Sequence, residues 1–253
     1  MRARHVLSAI ALLAVSGAGL ACQLRLALEQ WPPYLYRADG AAMPSGLDWE
    51  LAQAILKEAG CTLKLLPELP TARRQREFEQ GQLDLLLAAS DTPARHAYAR
   101  FSIAYRHESV GVFTRSAMRA RYGHVVSLDV LSRERLPLLA PKVGWYGRDY
   151  ARVQPTLETA GKLSTFSNFQ QGLRMLQAGR ADLILGDRAA LRYEANMQGV
   201  AISALPLVVL RAPVHLMLNR STTSEADLDR INAAITRLEH HGALSAIRAR
   251  YGE

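Results

Sequence analysis

Two polar residues, Ser90 and Asp187, each stand just past an apolar run, and the two runs repeat one pattern. Phe78-Glu79-Gln80-Gly81-Gln82-Leu83-Asp84-Leu85-Leu86-Leu87 returns as Leu176-Gln177-Ala178-Gly179-Arg180-Ala181-Asp182-Leu183-Ile184-Leu185. Each copy ends a helix, stops at glycine and opens a strand with an acid. This punctuation is common to α/β proteins, yet it puts a hydroxyl and a carboxylate beyond two strand ends, where α/β sheets bind ligands. Such a pair can hydrogen-bond a polar solute and neutralise a cationic group. Asp187 also suits the N-cap of a following helix, and the two uses are compatible. Glu29, Asp91 and Glu108 are further acids with no assigned partner, available in principle for proton transfer. Recognisable enzyme signatures are missing. The seven histidines form no His-Glu-x-x-His, and His240-His241 are adjacent on one helix. There is no Gly-x-Ser-x-Gly and no phosphate-cradling glycine loop. Two cysteines are too few for a four-ligand zinc site, and no metal or cofactor is expected.

The elements that must position these residues alternate. A strand at Leu24–Leu28 leads into the loop Trp31-Pro32-Pro33-Tyr34-Leu35-Tyr36. A helix is predicted from about Asp48, with Leu51, Ala52, Ile55, Leu56 and Ala59 at helical spacing and Gly60 ending it. A strand at 62–66, a helix near 72–80 and a strand at Leu83–Ala88 follow. Alternation of this kind predicts parallel-rich sheets flanked by helices. The repeat predicts two α/β lobes: residues 22–112 with 214–253, and an inserted lobe at 113–213. Val110–Thr114 and Val214–Leu218 are expected to form a pair of crossover hinge strands. Glu225–Tyr251 reads as helix, interrupted at Gly242, returning to cover the first lobe.

The chain has 253 residues, 49% hydrophobic and 21% charged, as a folded globular protein requires. Lys plus Arg number 31 against 23 Asp plus Glu, a formal charge of +8. Arg2, Arg4 and His5, the apolar run Val6–Val15 and the small residues Ser16–Ala21 have the order of a secretory signal peptide. Val6–Ala21 is too short to span a bilayer, which takes about 20 residues. Residues 1–21 are therefore expected to be removed and the protein to be periplasmic, which makes the positive charge a surface property and excludes nucleic acid as a partner. Cys22 would begin the mature chain, either as a lipidated cysteine or bonded to Cys61. Both cysteines precede strands of one strand–helix–strand unit, whose right-handed crossover brings the two strand starts together, and an oxidising compartment preserves such a bridge.

Gly46-Leu47-Asp48-Trp49-Glu50-Leu51-Ala52 resembles the Gly-Phe-Asp-x-Asp-Leu-Ala segment of bacterial periplasmic solute-binding proteins serving ABC importers of polar amino acids. Gly81-x-x-Asp84, Thr92-Pro93-Ala94-Arg95 and Phe101-Ser102-Ile103-Ala104-Tyr105 are similar to further motifs of that family, in the same order, and Gly179-x-x-Asp182 with Asp187 fits its second lobe. The resemblance runs from about Leu24 to Tyr251. It implies the type II two-lobed fold, hinge closure on a small solute, and a monomer that delivers the solute to an inner-membrane ABC permease. It implies that Arg95 clamps a ligand carboxylate through its bidentate fork, that Ser90 adds a hydroxyl, and that Asp187 binds the ligand ammonium. Where the family has an aromatic platform this chain has Thr71, so Trp31 and Tyr34 become the candidate stacking surface or simply pack the loop. Arg73 either reaches the cleft or is a solvated helix residue. In Gly144-Trp145-Tyr146-Gly147 the glycines suit backbone donation at a helix start, while Trp145 narrows the cleft. The same fold implies two other roles: a periplasmic dehydratase of prephenate or arogenate (a cyclohexadienyl dehydratase), with cleft acids such as Glu29 or Glu108, and a ligand-sensing module for a membrane partner.

Overall fold

The computed structural model describes residues 22–252. The expected signal segment, residues 1–21, lies outside them. Strands β1 (Gln23–Ala27) and β2 (Thr62–Leu66) run parallel, in register from Gln23 opposite Thr62 to Ala27 opposite Leu66. Helix α1 (Leu47–Glu58) connects them and buries Leu47, Leu51, Ala52, Ile55 and Leu56, the apolar stripe of its sequence. Cys22 and Cys61, one residue before each strand, form a disulfide with Cα atoms 4.6 Å apart. The Cys22 sulfur is thereby committed to Cys61.

Among the described residues, no side chain caps α1. Instead the Leu47 N–H donates to Pro33 O at 3.0 Å, and those of Asp48 and Trp49 donate to Tyr34 O at 2.9 and 3.2 Å. The aromatic loop thus satisfies amides that every helix start leaves open. Gly46 stands between them at φ 121°, where a Cβ would lie 2.3 Å from Tyr34 O. Only glycine fits there.

Next come α2 (Thr71–Glu79), β3 (Leu85–Ala89), a 3₁₀ turn (Pro93–Ala97), β4 (Ala99–Phe101) and β5 (Arg106–Arg115). The inserted elements are α3 (Leu128–Arg133), β6 (Leu138–Pro141), α4 (Arg148–Thr159), β7 (Leu163–Phe166), α5 (Phe169–Gln177), β8 (Leu183–Asp187) and α6 (Arg188–Met197). Strand β9 (Ile202–Asn219) leads back to α7 (Glu225–His240) and α8 (Ala243–Arg250), which bend at Gly242. The larger sheet has the order β3-β9-β5-β8-β6-β7, with β4 also on β9. It is mixed. β6 is parallel to β7 and β8, while the long strands β5 and β9 pair antiparallel with their neighbours.

The crossover pairing differs from expectation. Val110–Thr114 pairs with residues 203–210 of β9, while Val214–Leu218 pairs chiefly with β3 and β4. β9 is 18 residues long, and its first part carries Pro206, Arg211 and Pro213, which break the apolar run that marks a strand in sequence. Register shifts around Gly111 absorb the irregularity.

The two repeat acids act alike. Asp84 accepts from the backbone N, Nε and Nη2 of Arg25 at 2.8, 2.7 and 2.6 Å. Asp182 pairs with Arg115 and accepts from the Tyr122 hydroxyl at 2.7 Å. Each ties the start of a strand, β3 or β8, to a neighbouring element. In one core, Leu24, Leu26, Leu51 and Ile55 pack with Val214, Leu216, Ile235 and Leu244, so α7 and α8 do cover the first part of the chain. Val112, Leu138, Tyr150, Leu183 and Leu205 pack together in another. Ala190, in the first turn of α6, belongs to the former core and carries the start of that helix onto it.

Candidate functional site

Beyond the carboxyl ends of β3 and β8 lies a cavity of about 450 Å³. Asp187, the last residue of β8, sits opposite Val110 of β5 and is only 3% exposed. Its Oδ1 accepts from the backbone N–H of Ala189 and Ala190 at 3.0 and 2.9 Å and from the Tyr34 hydroxyl at 2.8 Å. The N-cap role is therefore real. Its Oδ2 has no hydrogen-bond partner among the described residues. Burial pushes this carboxyl's pKa up, against the pull of the capping amides, Arg106 and Tyr34.

Ser90, just past β3, also lines the cavity. Its Oγ lies 3.4 Å from Glu108 Oε1, and its carbonyl accepts from Arg95 Nη1 at 2.8 Å. Arg95 is half-buried in the 3₁₀ turn, its guanidinium held beside the serine. The structure thus brings Arg95, Ser90 and Asp187 to one cavity.

Glu29, Trp31 and Trp145 line the same space. Glu29 is bound to Arg74 Nη2 at 2.6 Å, and burial raises its pKa while Arg74 lowers it. Arg74 is thus the cleft arginine of α2. Arg73 points away, 66% exposed and bonded to Glu77. Neighbouring residues on a helix diverge by about 100°, and the inward face of α2 is set by Arg74 and Phe78. Tyr34 is also displaced from its expected role as a stacking surface. It is 2% exposed and absent from the cavity wall, with the Arg106 guanidinium 4.2 Å from its ring centroid. Arg106 in turn holds both oxygens of Asp48 at 2.6 and 2.8 Å. Trp31 stays at the wall, its ring 4.6 Å from that of Tyr34. Tyr146, beside Trp145, donates to Val143 O at 3.1 Å, and burial raises its pKa.

Glu108 was without an assigned partner in sequence, and here it is central. It is 9% exposed, on the face of β5 shared with Arg106 and Val110. Burial raises its pKa to about 7, aided by the Asp187 and Asp48 charges and opposed by Arg106 and the Ser90 hydroxyl. The available signal was the alternation Arg106-x-Glu108-x-Val110, two charges on one face of a strand. Among the described residues, no group of three His, Cys, Asp or Glu could hold a metal ion. The cavity wall offers the Arg95 guanidinium and the Ser90 hydroxyl, with the buried Glu108 carboxyl 3.4 Å from that hydroxyl and the buried Asp187 carboxyl on the same wall. It provides hydrogen-bonding and charged partners for a small polar solute.

The model of bacterial extracellular solute-binding proteins, family 3, matches residues 24–253. No match was found among curated proteins. Solved structures share the fold. An amino acid ABC transporter substrate-binding protein from Streptococcus pneumoniae bound to L-arginine has TM-score 0.72 at 19% identity, covering 90% of this chain and 93% of its own. A histidine kinase sensor domain similar to periplasmic binding proteins has TM-score 0.76 at 17% identity, covering 92% and 96%. An ancestral amino acid-binding protein, a precursor of cyclohexadienyl dehydratase, has TM-score 0.73 at 17% identity, covering 91% and 95%.

Proposed function

The chain belongs to the bacterial extracellular solute-binding proteins, family 3, and on that premise we propose that it is a periplasmic receptor for a small amino-acid-like solute, which it passes to an inner-membrane ABC permease. The observation that carries this reading is the unpartnered, buried Asp187 Oδ2 in the same cavity as Arg95. A buried carboxylate oxygen without a donor is costly unless a ligand supplies one. In this reading Arg95 and Ser90 take the solute's carboxylate and Asp187 its ammonium. Trp31 and Trp145 flank it, and the Glu29–Arg74 pair faces its far end. Residues 22–112 with 214–253 form one lobe and 113–213 the other, closing about β5 and β9. Contacts from both lobes then favour the closed state over the open one. The protein works as a monomer and binds without converting its solute.

A thermal-shift screen of amino acids, opines, polyamines and small dicarboxylates identifies the solute, since a compound at 100 times its Kd stabilises by about 2.7 kcal/mol. Calorimetry on variants then tests the site. Loss of one partner of a desolvated charged pair costs about 2–5 kcal/mol, so Arg95→Ala weakens binding by about thirtyfold or more. Asp187→Asn keeps a capping oxygen and loses affinity for amine-bearing solutes only. If neither change moves affinity beyond about threefold, the assigned site is wrong. Incubation with prephenate and product detection separates a receptor from a dehydratase, and turnover would refute the receptor reading.

A further inference from the structure

Besides Glu29, which is paired with Arg74, two buried acids face this cavity, and only one is needed for a single ammonium. Glu108 and Asp187 both line it. Val110 is the residue directly opposite Asp187, and Glu108 is two positions along β5 on the same face. That makes Glu108 and Asp187 diagonal neighbours on the sheet, a relation that sets the two positions about 7–8 Å apart and their Cβ atoms somewhat closer. One ammonium or guanidinium, with N–H···O bonds of about 2.8 Å to each side, fits between two such carboxylates.

Several of the surrounding charges already have partners. Arg106, next on that face of β5, is bonded through two nitrogens to Asp48 of α1. Arg74 of α2 is paired with Glu29. Arg95 donates to the Ser90 carbonyl, and Ser90 offers Glu108 only a hydroxyl at 3.4 Å. The α4 side contributes Tyr146, which is no cation, and Lys142 also lines the wall. On β9 the residue opposite Glu108 is Ala212. Asp187 keeps an unpartnered Oδ2.

We infer that Glu108 and Asp187 together form a two-carboxylate site for a positively charged group of the solute, and that Glu108 releases a proton to solvent as this group binds. The inference rests on the solute-binding reading and extends it, favouring solutes of net positive charge over anionic ones. It accords with a Glu108 whose carboxyl burial pushes up to about 7. A cation arriving beside it favours the ionised form, so binding and deprotonation are linked.

The test uses the whole mature chain with L-arginine, L-lysine, putrescine, L-glutamine and L-glutamate as probes. Calorimetry at pH 6 and pH 8, in buffers of different ionisation enthalpy, reads affinity and protons together. With Glu108 at about 7, a cationic probe binds about tenfold more tightly at pH 8 than at pH 6, releasing nearly one proton at pH 6 and almost none at pH 8. Glu108→Gln keeps the shape and abolishes both effects, leaving affinity level across that range. Affinity of wild type that is level, or that rises toward pH 6, overturns the inference while leaving solute binding intact. So does binding of L-glutamate in preference to the cationic probes. Failure of every cationic probe to bind also overturns it, and the broader screen then decides separately whether the cavity is a solute site at all.

Discussion

At the scale of single residues, Glu108 carries the clearest consequence for stability. Its carboxyl titrates at about 7 in the folded protein, against about 4.3 in an unfolded chain. The native state therefore holds this proton more tightly. The stabilisation is complete below the unfolded value and is lost as pH rises through about 7. Its size, at 1.36 kcal/mol per pH unit, is about 4 kcal/mol. Glu108→Gln should thus unfold like wild type near pH 4 and be more stable than wild type at pH 8 in the absence of solute. Denaturant titrations at the two pH values check this, and equal stability at pH 8 would mean that the charge is solvated. Tyr34 allows a second test. Its hydroxyl is bonded to Asp187 at 2.8 Å with both side chains buried, and Tyr34→Phe removes that donor from a carboxylate whose other oxygen has none. A loss of about 1–3 kcal/mol is expected from melting curves.

At the scale of elements, the junction of the aromatic loop with α1 decides where the first wall of the cavity stands. Carbonyls of Pro33 and Tyr34 cap the helix, and Gly46 makes room for them. With φ 121° and ψ 163°, Gly46 occupies a region that is essentially glycine-only. Gly46→Ala adds a Cβ against a backbone oxygen as well, so a loss of at least about 2 kcal/mol is expected, readable by chemical denaturation. A variant as stable as wild type would show that the loop can move aside freely. The β1–α1–β2 unit is closed by Cys22–Cys61, with a sequence separation of 39. In the chain-entropy model a loop of that length is worth about 4 kcal/mol. Cys22→Ser with Cys61→Ser should lower the unfolding free energy by about that amount, while reductant leaves the double variant unaffected.

At the scale of the whole molecule, contacts far apart in sequence cross between the two parts of the chain. Tyr34 reaches Asp187, the Tyr36 and Tyr193 rings are 5.8 Å apart, and Ala190 packs in the core built around α1. All of them meet α6 or its cap, beside the long strands β5 and β9. The proposed closure therefore turns about a packed junction, with the cavity walls moving and the sheet retained. Small-angle scattering with a compound from the thermal-shift screen should show a smaller radius of gyration, and circular dichroism should stay unchanged. A radius unaffected by a saturating solute would argue against a two-lobe clamp.

Elements with a strong local pattern were legible in the amino-acid order. The stripe of α1, strand β2 at Thr62–Leu66, and the break at Gly242 between α7 and α8 follow from periodicity and glycine placement, which neighbouring residues alone determine. The disulfide was one of two fates the sequence left open for Cys22, favoured because a right-handed crossover brings the starts of β1 and β2 together, and the structure forms it. Ser90 and Asp187 could be placed at strand ends by the repeat, though Asp187 proves to be the last residue of β8 rather than beyond it. The tertiary structure decided the rest. Whether Arg73 or Arg74 enters the cavity depends on the rotation of α2, a polar helix whose one large apolar residue, Phe78, does not fix its phase in sequence. Tyr34 left the wall because Asp187 and Arg106, far away in the chain, offered its hydroxyl and ring better partners. The pairing of β9 depended on a strand interrupted by proline and arginine, where only the partner strand reveals the register. Glu108 acquired its chemistry last, since a glutamate's proton affinity is set by burial and by the charges that folding brings beside it.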